Sequence, residues 1–189
     1  MSDWSSAGGP SPALSSAVEK DQSRFWSFSL TVYSKPDVQK ECLDLQDRHG
    51  IDVNLLLFCA FAGAVHGAVL PDDALKQAAG LVGGWHKDVV INLREARRAL
   101  KPLATGSSSV VSAAGALRNS VKAMELEAER LEQMILEQWS ASRLSAWPRM
   151  RAIEATAANI RALLAVVAGS AAEPELPQNL VAAAVAAAR

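Results

Sequence analysis

Apolar residues recur at helical spacing from about residue 23 onward. Phe25, Phe28 and Val32 fall on one face, with Trp26, Leu30 and Tyr33 beside it, and Pro36 closes that helix and opens the next. Val38, Cys42, Leu45 and His49 continue at steps of four, three and four, and Gly50 follows at a position suited to a left-handed helix end. Asp52 stands as N-cap to a third helix, 53–66, in which Leu55, Leu56, Leu57, Phe58 and Phe61 leave no polar face. A helix that is apolar all round belongs at the centre of a bundle.

Pro71, Asp72 and Asp73 begin a further element, interrupted by Gly80, Gly83 and Gly84. Each glycine costs roughly 1 kcal/mol in a helix relative to alanine, so the pattern predicts a short helix 72–80 and a longer one 85–101. After a loop over 102–109, a long helix 110–139 carries Leu117, Val121, Met124, Ala128, Leu131, Ile135 and Gln138 at alternating steps of four and three. Such a heptad seam asks for a long helical partner, and a homodimer through 117–138 is one way to supply it. A last helix follows Pro148, with Ile153, Ala157, Ile160, Leu164 and Val167 as its seam and Gly169 as its stop. No segment alternates with the period of a strand.

The expected fold is therefore all-α: a single bundle of six or seven helices with an apolar central helix 53–66 and a long helix 110–139. Residues 1–22, rich in Ser, Gly and Pro, are expected to be a disordered tail, 23–169 the helical domain, and 170–189 a Pro/Ala-rich tail.

Composition narrows the partners. The chain has 189 residues, 50% of them apolar, which supports a packed core. Nineteen basic and twenty acidic residues leave a net charge of −1, so a nucleic-acid partner is not expected. The most apolar stretch, Leu55 to Val65, is 11 residues long, short of the roughly 20 that span a membrane. The N-terminal residues show no basic run leading into an apolar one, so no secretory signal is expected. Cys42 and Cys59 lie inside apolar helical patterns, which reads as buried free thiols in a reducing cytoplasm.

Local spacing offers little chemistry. There is no Glu-x-x-His, no pair of histidines four apart and no Cys-x-x-Cys, so neither a metal site nor a cofactor is expected. Phosphate-cradling glycine patterns and the Gly-x-Ser-x-Gly elbow are missing as well, and no catalytic residue is assigned. Asp72-Asp73 reads as acids at a helix N-terminus, with Lys76 where an aspartate-rich motif would continue. The two helices around Gly50 are not a DNA-reading pair, because Leu55 to Phe61 present nothing to base edges.

Three constellations remain. Asp47, Arg48, His49, Asp52 and Asn54 crowd the corner before the apolar helix, with Asp44 four residues from Arg48. They form either a hydrogen-bonded corner that satisfies helix ends or a small polar pocket in which His49 exchanges protons. Arg94, Arg97, Arg98 and Lys101 make one basic stripe at i, i+3, i+4 and i+7. An antiparallel hairpin turning near residue 105 places Arg94 opposite about residue 116 and Glu125 opposite Trp85, with Glu129 and Glu132 opposite Leu81 and Ala78. The stripe then lacks a simple partner on the next helix, although Asp44 or Asp47 can still meet it. Either the face is solvated or internally paired, or it engages an acidic protein surface or an anionic, phosphorylated ligand. Trp85 and His86, after the glycine break, are a core wedge or a ligand platform.

The residues Phe25-Trp26-x-Phe28-Ser29-x-x-x-Tyr33, and then Cys42 through Leu45-Gln-Asp-Arg-His-Gly50 to Asp52-Val-Asn-Leu-Leu-Leu-Phe58, resemble a proteobacterial family catalogued as a domain of unknown function. The likeness continues through Trp85, Leu93 to Lys101 and Glu125 to Arg130, and covers about residues 23 to 138. It implies a small helical cytoplasmic protein and transfers no catalytic residue.

The leading functional expectation is a non-enzymatic binding or adaptor protein acting through the basic stripe. The alternative is a small-molecule-binding helical enzyme with a pocket around Asp47, His49, Asp52, Trp85 and His86.

Overall fold

A computed structural model describes residues 23–105, 108–169 and 174–189; the tail expected over 1–22 lies outside them. Among the described residues there are seven helices and no strand. Ser23 caps α1 (Arg24–Tyr33) through its Oγ, which accepts from Trp26 N at 2.9 Å. Helix α2 (Pro36–His49) starts on its proline and ends at Gly50 with φ 67°. Asp52 caps α3 (Val53–His66), where every residue from Asn54 to Ala64 is buried, as a central helix requires.

Helix α3 packs most closely against α6 (Ala152–Ala168). Gly63 allows this: a Cβ built there would sit 2.4 Å from Thr156 Cα and N, so the two backbones touch through a missing side chain. Below the contact, buried Asn159 holds the loop after α3. It accepts from Leu70 N at 2.8 Å and donates to the Ala68 and Cys59 carbonyls. Within α6 the buried face is Ala155, Thr156, Asn159, Ile160, Leu163 and Leu164, whereas Ile153 and Val167, expected in the seam, are exposed.

Three further expectations change. The 72–101 segment is one rod, not two helices. In α4 the arms Asp72–Trp85 and Asn92–Leu100 are joined by a π-helical turn, His86–Ile91, and a 3-10 turn Pro102–Ala104 prolongs the rod. Gly80, Gly83 and Gly84 keep negative φ, and burial of Leu75, Ala78 and Val82 on the inner face offsets their helix cost.

Helix α5 (Ser109–Ala141) turns Leu117, Met124 and Leu131 of the expected seam outward and keeps Ala128 of it inward. Leu117 is 53% and Met124 59% exposed, while Glu125, Ala128, Glu132, Gln133 and Leu136 face inward. Polar residues can hold an inward face because their partners come from other helices, which heptad spacing does not reveal. The 170–189 segment, read as a tail, carries α7 (Gln178–Ala187), with Leu180, Val181, Ala183 and Ala184 in the core. Glu41 of α2 caps it, accepting from Leu180 N at 2.8 Å and Asn179 N at 3.0 Å.

Candidate functional site

The inward polar residues of α5 meet the start of α3 and the π-turn of α4. A π-turn widens the helix by one residue and re-aims the side chains that follow. His86, its first residue, directs Nδ1 between two carboxylates, 3.4 Å from Asp52 Oδ1 and 3.4 Å from Glu132 Oε2. Asp52 Oδ1 is held in place by its capping bond from Asn54 N at 2.8 Å. Glu132 is wholly buried; Asn54 Nδ2 donates to its Oε2 at 2.9 Å, while Oε1 is buried without a partner.

Glu132 can only accept, so it fixes the Asn54 amide with nitrogen toward itself. Asn54 Oδ1 must then receive Gln133 Nε2, at 2.9 Å, which leaves Gln133 Oε1 as a buried acceptor without a donor. The electrostatics follow from burial. The Asp52 carboxyl is pushed well above its usual range, first by burial and then by the Glu132 carboxylate beside it. Burial alone would lower the His86 value, but hydrogen bonding to Glu132 and the charges of Asp52 and Glu132 raise it.

A second cluster lies one to two turns away. Arg94 Nη2 donates to Glu129 Oε1 at 2.8 Å, Nε to Glu125 Oε1 at 3.1 Å and Nη1 to Gln46 Oε1 at 2.6 Å. Arg97 Nε donates to Glu125 Oε2 and its Nη2 to Oε1 at 3.1 Å. Burial opposes ionisation of Glu125, yet its bonds to Arg97 and Arg94 hold it below the usual carboxylate range. Burial wins at Glu129, whose value is raised despite Arg94.

Between the two clusters and α1 opens a cleft of about 220 Å³. Trp26, Leu30, Leu43 and Leu126 form part of its apolar wall, and Asn54, Gln133, Ser29 and Arg94 contribute polar lining. Ser29 Oγ, like Gln133 Oε1, is buried with no partner.

The register expected from a turn at residue 105 is thereby corrected. Glu125 lies against Arg94 and Arg97, not Trp85, and Glu132 against His86 and Asn54, not Ala78. Each guanidinium reaches across to helix α5 at the end of its long side chain. Trp85 Nε1 donates to the Ala128 carbonyl at 3.0 Å, so it serves as an anchor between α4 and α5.

Of the corner residues, Asp52 and Asn54 join His86. Asp47 is exposed and comes within 3.7 Å of Arg98; Lys101 is exposed too. Arg48 and His49 face a separate groove beside Pro174 and Glu175. The absence of metal-ligand spacing was likewise no guide. Asp52, His86 and Glu132 offer ligand atoms within 4.8 Å of one another, and His86 and Glu132 are 46 residues apart. Sequence reasoning weighed Glu125, Glu129 and Glu132 as facing positions of the hairpin but missed Gln46 and Gln133 altogether, which carry no charge signal.

No helix among the described residues is long and apolar enough to cross a membrane. No curated protein and no solved structure matches the chain. A family model described as "Protein of unknown function (DUF2390)" matches residues 24–136. That span holds Asp52, His86, Glu132, the arginine cluster and the cleft, and it leaves out α6 and α7. The chain, matched over more than half its length, belongs to this DUF2390 family.

Proposed function

We infer that this is a binding protein whose ligand is a small organic molecule with an apolar body and a hydrogen-bond donor, held in the cleft against α1. The observation that carries this reading is the pair of buried, partnerless oxygens, Gln133 Oε1 and Ser29 Oγ, on residues lining a largely apolar cleft. An unmet buried acceptor costs about 1–3 kcal/mol, which a donor recovers once a small side-chain shift brings the oxygen to the cleft wall. The 220 Å³ volume lies below the about 300–1,000 Å³ of drug-sized pockets, so the ligand is metabolite-sized. The phosphorylated-ligand reading loses its main support, since Arg94 and Arg97 already serve Glu125 and Glu129. Catalysis is less supported than binding: the pocket expected around Asp47, His49, Asp52, Trp85 and His86 is not assembled as one site. Two buried free thiols, each pushed up to about 12 mainly by burial, suit an unreactive role in a reducing cytoplasm.

Native mass spectrometry of gently purified protein tests the cleft. Wild type is expected to retain a small molecule that Leu126→Trp, a plug at the exposed rim, excludes without loss of helix content. A bare wild type that also ignores indole and phenol as donor-bearing probes would refute the reading.

The exposed seam supports a second reading, association with another copy of this chain. Val110, Leu117, Met124 and Leu131 of α5 recur every seven residues and all are exposed. Sedimentation is expected to show a dimer that Met124→Glu converts to a monomer with unchanged helix content; a monomeric wild type at high micromolar concentration would contradict it.

A further inference from the structure

We propose that Asp52, His86 and Glu132 form a site for a divalent transition cation, Zn²⁺ by the chemistry of the donors. The proposal is independent of the cleft reading.

Three ligands come from three elements: the N-cap of α3, the first residue of the π-turn and the inward face of α5. Their spacing has the geometry of a coordination shell more than of hydrogen bonding. Charge-assisted N–H···O bonds run about 2.7–2.9 Å, and both His86 contacts are 3.4 Å. A tetrahedral ion with bonds of about 2.0–2.1 Å separates its ligand atoms by about 3.3–3.4 Å, close to the 3.4 Å of both His86 contacts; all three ligand atoms lie within 4.8 Å of one another.

Two carboxyl groups face one imidazole in this pocket, and Glu132 is wholly buried. Glu132 Oε1 is a further sign of an absent ligand: a buried carboxylate oxygen without a hydrogen-bond partner.

The supporting shell is already in place. Asn54 orients Glu132, Gln133 orients Asn54, and the α3 backbone orients Asp52. Outer contacts of this sort keep ligands aimed before the ion arrives. His86 also borders a groove lined by Gly50, Ile51 and Ile91. One imidazole with two carboxylates favours a borderline ion over Mg²⁺ or Ca²⁺, which take oxygen-only sets.

The test uses the full chain, stripped with a chelator and titrated with Zn²⁺ against a chromophoric competitor, with Co²⁺ as a spectroscopic substitute. The proposal expects one equivalent of Zn²⁺, a rise in Tm, and intense visible Co²⁺ bands of low coordination number. His86→Ala and Glu132→Gln are each expected to weaken uptake by at least about 100-fold while keeping the far-UV spectrum of wild type. His49→Ala, in the separate groove, and Leu126→Trp, at the cleft rim, are expected to bind as wild type. Failure of wild type to take up one equivalent at micromolar free Zn²⁺ overturns the site. Equal binding by wild type, His86→Ala and Glu132→Gln overturns it too, by placing the ion elsewhere. The Leu126→Trp arm separates this outcome from failure of the cleft reading.

Discussion

Gly63→Ala is expected to destabilise the protein by about 3 kcal/mol, at the upper end of overpacking costs. The added methyl would lie 2.4 Å from both Thr156 N and Thr156 Cα and 2.8 Å from Ala155 C. All three are backbone atoms of α6, so no rotamer change relieves the clash, and α3 and α6 must move apart. Separation loosens a buried face that includes Ile160, Leu163 and Leu164, and it disturbs the Asn159 bonds that hold the loop at Ala68 and Leu70. Interiors are packed too tightly to absorb that movement locally. Gly80→Ala is the control, since its new Cβ meets nothing within 4 Å, and the gain in helix propensity is expected to stabilise by about 0.5–1 kcal/mol. Urea unfolding of both variants provides the measurement. A Gly63→Ala midpoint equal to wild type would mean that α3 and α6 do not touch through this glycine.

Arg94→Met is expected to cost about 3–5 kcal/mol, the range for removing one partner of a buried ion pair. The Arg94 side chain is 14% exposed and the Glu125 side chain 8%. Methionine fills much of the arginine's volume and leaves Glu125 with Arg97 alone, and Glu129 without its cation. Arg98→Met is the contrast. Its 3.7 Å approach to Asp47 joins two exposed side chains, so a change within about 1 kcal/mol is expected. Adding Glu125→Gln to Arg94→Met should recover part of the loss, because the stranded charge goes with it. Chemical denaturation of the four proteins decides the role of the stripe. A loss below about 1 kcal/mol for Arg94→Met would return this arginine to the ligand-binding reading that its sequence position first suggested.

The two variants mark where sequence reasoning holds and where it stops. Helices α1 to α3 were legible because their signals are local: Pro36 at a helix start, Gly50 with φ 67° at a helix end, and Asp52 bonded to Asn54 N. The glycines of α4 misled for the same reason. Their propensity cost is local and visible, whereas the burial of Leu75, Ala78 and Val82 that outweighs it depends on neighbouring helices. Gly63 looked like one more small residue in an apolar run, and its role exists only where α6 crosses it.

The candidate site was half visible. Asp52, Asn54 and His86 stood out as polar groups near an apolar helix, and Glu125, Glu129 and Glu132 as acids on the helix expected to face the basic stripe's own. Joining the two sets needed the rotation of α5 and the register of the hairpin. A small error in the position of the chain reversal moves every facing pair, so the expected opposition of Glu125 to Trp85 gave way to Arg94 and Arg97.

By itself the sequence determined the all-α class, the apolar central helix, the long helix and most helix ends, because periodicity and caps act within a few residues. Only the tertiary structure decided that α5 turns Glu125 and Glu132 inward and Leu117 and Leu131 outward, that the alanine-rich terminus completes the core, and that Asp52, His86 and Glu132 meet. Such juxtapositions depend on burial and charge compensation between segments as far apart as the 78 residues from Asn54 to Glu132, and no spacing along the chain encodes them.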